Sequence, residues 1–120
     1  MSLSNTSEAA LLDLLFLNTD WANVGDAGGL QNSATAGSFY ISLHTGDPGE
    51  AGDQTTSELS NASYTTYARV AVARSGAGWT RSVSTISNTA LVQFAQCDGG
   101  SQTATHFAIG TASSGAGSII

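Results

Sequence analysis

The chain holds 120 residues, enough for one domain with a modest core. Apolar residues supply 41% and charged residues only 10%, with no lysine, three arginines and a net charge of −6. That balance excludes a nucleic-acid backbone as partner, which needs clustered Lys and Arg, and it disfavours an anionic membrane surface.

The first element reads as a helix. Asn5 can cap it, with Glu8 at capping-box spacing, and "EAALLDLLFL" follows without Gly or Pro. Leu11, Leu14 and Leu15 share one face, with Leu12 and Phe16 beside it. This arc is wide and asks for cover on most sides, from the chain's own sheet or from a neighbouring subunit. The apolar run at 11–17 is too short to cross a bilayer, and with Glu8 before it and no basic stretch it does not read as a signal peptide. The next segment, "NTDWANVGDAGGLQNSATAGS", is dense in turn formers and reads as a long loop anchored by Trp21 and Leu30. A loop of that length in a compact domain is a candidate binding element, with Trp21 as its anchor. Residues 1–38 therefore read as an arm, and 39–120 as a β-domain.

That domain opens on "FYISLH". Phe39, Ile41 and Leu43 alternate with Tyr40, Ser42 and His44, the pattern of a half-buried strand with His44 on its polar face. Further strands are expected at 67–73, 79–83, 89–94, 105–109 and 118–120. Glycine-bearing loops "RSGAG", "CDGG" and "SSGAG" separate them. Short strands about ten residues apart, after one helix, predict an all-β, jelly-roll-like antiparallel sandwich with an N-terminal α-helix.

Chemistry-bearing residues are few. His44, Asp47, Glu50 and Asp53 recur at spacings of three, with Pro48 between. An EF-hand loop needs oxygen ligands at alternate positions and a terminal bidentate Glu, and zinc-type histidine spacings are absent, so these read as turn residues. His44 and His106 both fall on expected strands that can approach each other, yet no nucleophile elbow accompanies them. His106 alternates against Phe107, which reads as a buried aromatic. "RSGAGW" and "GTASSGAG" lack the lysine of a phosphate loop and read as turns whose glycines supply positive φ. Cys97, the only cysteine, admits no intrachain disulfide, and Asp98 beside it opposes a reactive thiolate, so it reads as a structural cysteine. Arg69, if it points outward between Ala68 and Val70, pairs with a carboxylate of the loop or of a partner. A surface ion pair is the default, and a bidentate interface contact is the sharper reading.

Four stretches in fixed order, "LHTGDPGEAGDQTTSE", "YARVAVARSGAGW", "SNTALVQF" and "THFAIGTASSGAG", resemble small bacteriophage virion proteins, often labelled tail fibre proteins. The resemblance implies a non-enzymatic virion component, assembled in the host cytoplasm; no cofactor is expected, and the turn spacing of the carboxylates and the lack of ligand pairs predict no metal. It brings no catalytic residues. Relatives usually continue past the last glycine turn. Here the sequence stops at Ile120 just as "SII" begins a strand, so either it is truncated or the sheet closes differently and leaves an edge to be covered. A fibre shaft needs length or repeats, which favours a capsid decoration (cement) protein bound to the major capsid protein. A tail- or tail-fibre-associated module is the alternative, and a small glycan-binding or hydrolase domain the remote one. The expected partners are other virion proteins and the chain itself, as a homotrimer. The expected interface is Leu11, Leu12, Leu15, Phe16, Trp21 and Arg69.

Overall fold

A computed structural model describes residues 2–120. Among them the protein is mostly antiparallel β with a single N-terminal helix, as expected. One sheet has three strands in the order β2-β1-β5, and the other is a β3-β4 hairpin, an arrangement that fits the expected jelly-roll-like class. The described residues form two compact units, one of residues 2–37 with 73–91 and one of 38–72 with 92–120.

The first unit is built on α1 (Asn5–Phe16). Its cap is Ser4 instead of the expected Asn5: the Ser4 hydroxyl accepts from the Ser7 amide at 3.2 Å. Both residue types cap well, so local sequence does not rank them. Past the C-cap, Asn18 takes a left-handed φ of 53°, a conformation asparagine tolerates better than most residues, and the helix stops. Arg74 then supplies donors to the last-turn carbonyls, Nε to Leu15 at 2.6 Å and Nη2 to Leu14 at 2.9 Å. A cation there also matches the negative end of the helix dipole.

The helix packs against β3 (Trp79–Ser82) and β4 (Thr85–Asn88). Phe16 and Trp79, 5% and 4% exposed, meet edge to face with centroids 4.8 Å apart. Arg81 donates to Asp13 at 2.5 Å. A two-residue turn joins the strands and fixes the pairing of Ser82 with Thr85 and of Trp79 with Asn88. This register explains a departure from expectation: the return strand starts at Thr85, and its ladder ends where β3 ends, so 89–94 forms no strand. In the loop after α1, Trp21 and Leu30 exchange two backbone hydrogen bonds of 2.9 Å, which makes them its anchors as expected.

The second unit is organised around β1 (Ser38–His44), flanked by β2 (Val70–Ala73) and β5 (His106–Gly110). β1 and β5 are antiparallel, with Ile41 opposite Ile109 and His44 opposite His106. Here the half-buried reading of β1 fails. Phe39 and Ile41 are buried as expected, but Ser42 and His44 on the other face are 0% exposed. The loop after β1 folds back over that face and carries Gln54, also 0% exposed. The Gln54 amide group donates to the Tyr40 carbonyl at 3.2 Å and accepts from the Ala112 amide at 2.9 Å. Glycine is required opposite it: a Cβ on Gly110 would lie 2.0 Å from the Gln54 side chain. β5 accordingly buries Ala108 and Gly110, while Phe107, expected inside, is 69% exposed.

Candidate functional site

The opening loop and the histidines are the natural place to look for chemistry. His44 Nδ1 lies 2.8 Å from the Thr56 carbonyl, and Nε2 lies 2.9 Å from the Ser42 hydroxyl. A carbonyl only accepts, so Nδ1 carries the proton and Nε2 accepts from serine. The pair has the connectivity of an activated nucleophile, but both side chains are sealed at 0% exposure, and no substrate reaches them. The histidines do pair across β1 and β5, yet His106 is exposed and bonds Thr105.

The carboxylates of the loop hold turns. Asp47 accepts from the Gly49 amide at 2.9 Å, and Asp53 accepts from the Thr55 amide at 2.8 Å and its hydroxyl at 2.5 Å. The Thr55 bonds hold the Asp53 carboxyl below its ordinary range. Among the described residues, no three His, Cys, Asp or Glu side chains come together as a metal site. Of the glycines expected to supply positive φ, Gly115 does so at 70°, whereas Gly76 does not. Cys97 is exposed, and its thiol faces the Gly99 carbonyl at 3.3 Å. No helix is long and apolar enough to cross a membrane among the described residues.

Charge converges at one place the sequence did not reveal. Arg69 forms a two-bond ion pair with Glu58, Nε to Oε1 and Nη2 to Oε2, each at 2.7 Å. The same guanidinium donates to the carbonyls of Ala112 at 2.9 Å and Gly115 at 2.8 Å. Tyr67 accepts from the Leu43 amide and donates to Glu58 at 2.8 Å. Burial pushes the Glu58 carboxyl up, but the Arg69 and Tyr67 bonds outweigh it and hold the group below its ordinary value. Burial also pushes the Tyr67 hydroxyl well up. Arg69 therefore departs from its expected surface position: its side chain is 3% exposed and ties three loops together. Glu58 is the last residue of the stretch "LHTGDPGEAGDQTTSE", but no local pattern marks it, rather than Asp47, Glu50 or Asp53, as the partner.

With Arg74 on the helix end and Arg81 on Asp13, all three arginines bond within their own units. The other expected interface residues divide. Phe16 sits in the core against Trp79. Leu11, Leu12 and Leu15 are half-buried, as is Leu14, so no leucine of α1 is fully covered. Trp21 is half-buried, with its backbone held by Leu30.

Comparison with known families supplies the class: residues 2–120 match the model described as podophage GP4 fiber I protein gp80. The chain belongs to this family of phage fibre proteins, which makes it a virion component. No curated protein and no solved structure matches it. The family favours the fibre alternative over the capsid-decoration reading, so the lack of length or repeats was a poor guide.

Proposed function

We propose that the protein is a non-enzymatic, fibre-associated structural module of a podophage particle, assembled in the host cytoplasm and joined to its neighbours through α1 and the 18–38 loop. Membership of the fibre family along residues 2–120 carries this reading. The half-buried leucines of α1 support self-association. Leu11, Leu12, Leu14 and Leu15 spread over more than one flank of the helix, and a threefold arrangement offers each helix two neighbours where a dimer offers one. Trp21 stands beside them as an anchor for another virion protein.

Sedimentation at micromolar concentration tests the assembly, with a trimer expected for the wild type and a monomer for the Leu12→Lys, Leu15→Lys double variant. A wild-type monomer rejects the helix interface. Gold-labelled antibody on intact particles tests the location. Label at the fibres is expected, whereas even label over the head returns the decoration reading. Trp21→Ala should weaken incorporation while leaving the melting temperature nearly unchanged, because backbone bonds to Leu30 close the loop without the ring.

A further inference from the structure

Residues 92–96 have the composition of a strand, yet they belong to no sheet. They keep the period of one: Val92 and Phe94 are half-buried, whereas Gln93 and Ala95 are exposed. Side chains hold the run in place. Phe94 stacks on Tyr67 with centroids 6.1 Å apart and planes 12° from parallel. The Tyr64 hydroxyl donates to the Ala95 carbonyl, and the Thr66 hydroxyl donates to that of Gln96. The amides of residues 92–96 donate to no other described residue. In an extended run, backbone groups two residues apart face the same way. The Ala95 carbonyl turns inward to Tyr64, so the Gln93 groups also turn inward, and the amides and carbonyls of Val92 and Phe94 face outward. Between Arg81 and Asp98 no side chain is charged and no proline intervenes. An uncharged, strand-prone run with outward donors is an edge that invites pairing.

We infer that this run docks on the same run of a second copy, paired antiparallel about a twofold axis at Gln93. On either side of the axis, Val92 of one copy then lies opposite Phe94 of the other, and the two exchange their outward hydrogen bonds. A β-branched residue and an aromatic one are favourable cross-strand partners. The two Gln93 residues meet on the axis as a non-hydrogen-bonded pair. Charge selects a second copy as the occupant. The chain carries a net charge of −6, so two copies repel wherever carboxylates meet, and this run brings none to the contact. The run lies within the second unit, so the inference does not depend on the assembly through α1 proposed above. A pairing this short is weak. It forms at high local concentration, as between copies in a particle, and leaves assembly at micromolar concentration to α1.

Cysteine cross-linking of the intact protein at millimolar concentration tests it, in a Cys97→Ser background. Under mild oxidation Gln93→Cys should form a disulfide-linked dimer, because a non-hydrogen-bonded pair sets its Cα atoms about 4.5 Å apart, within disulfide reach. Ala95→Cys, at a position that is also exposed, should not, since its mate lies about 13 Å away along the pair. Adding Val92→Pro removes an outward donor and should abolish the Gln93→Cys dimer. Amide hydrogen exchange of the wild type, followed by NMR, needs no substitution. The Val92 and Phe94 amides should become protected between micromolar and millimolar protein, and the Gln93 amide should not. No dimer at residue 93, equal cross-linking at 93 and 95, or unchanged protection at millimolar protein overturns the inference. So does a cross-link from residue 93 to a different virion protein in purified particles, which would make that protein the occupant.

Discussion

Arg69 and Glu58, eleven residues apart, share two hydrogen bonds of 2.7 Å with side chains only 3% and 15% exposed. A pair so little exposed acts as a fixed joint, because each charge is tolerated only while the other is present. The Ala112 and Gly115 carbonyls complete the guanidinium's bonding and bring the last glycine turn to the same joint.

Removing one partner should therefore cost more than removing both. Arg69→Ala leaves a largely buried carboxylate and should destabilise by about 3–5 kcal/mol, whereas Arg69→Met with Glu58→Leu should cost clearly less. Urea unfolding of the single and double variants checks this. Equal losses would mean that the carbonyl contacts, not the ion pair, hold the joint.

The same pair sets an acid limit. The Glu58 carboxyl is held below its ordinary value of 4.5 in the folded protein, so the unfolded chain takes up the proton first. Its contribution is full above that value and is lost as pH falls through the lower folded value. Stability should thus decline on acidification below about pH 4.5, the ordinary glutamate range, and Glu58→Gln should flatten that part of the profile. Thermal melts from neutral to acid pH provide the measurement.

Gly110 and Gln54 should show strong coupling. A methyl group on Gly110 would overlap the Gln54 side chain at 2.0 Å, and Gln54 is 0% exposed with bonds to Tyr40 and Ala112. Gly110→Ala should cost about 1–3 kcal/mol by overpacking. Gln54→Ala should cost a similar ~1–3 kcal/mol by leaving buried backbone groups unbonded. In the double variant the clash is gone, so the losses should sum to less than additivity requires. Additive losses would show that the loop moves aside.

Val83 offers a gain. It occupies the hairpin turn at φ 57°, a strained conformation for a β-branched residue, and its side chain is no core element at 67% exposure. Val83→Asn should stabilise by about 1 kcal/mol, since asparagine tolerates this conformation and backbone strain of this kind costs ~1–3 kcal/mol. The bond from the Arg81 guanidinium to the residue 83 carbonyl survives the change because its acceptor is a backbone atom. Differential scanning calorimetry would show the higher melting temperature.

The amino-acid sequence by itself determined the elements whose signals are local. Helix formers without Gly or Pro made α1, alternation made β1, and the run around Phe107 to Ile109 made β5, because propensity and periodicity act over a few residues. The resemblance to small phage virion proteins, often labelled tail fibre proteins, agrees with the fibre family match, whereas the preferred capsid-decoration reading does not. Tertiary structure alone decided which face of each strand is covered. Tyr40, Ser42 and His44 alternate like a solvent face, yet Ser42 and His44 are sealed beneath the returning loop with Gln54. It also decided that Phe107 faces outward, since Gln54 fills the space opposite Gly110. The hairpin register set by Val83 moved a strand from 89–94 to Thr85–Asn88. Above all it chose the partners of the arginines. A charge is read from one residue, but an ion pair such as Arg69 with Glu58 depends on how loops far apart in the chain meet, and no short-range pattern encodes that meeting.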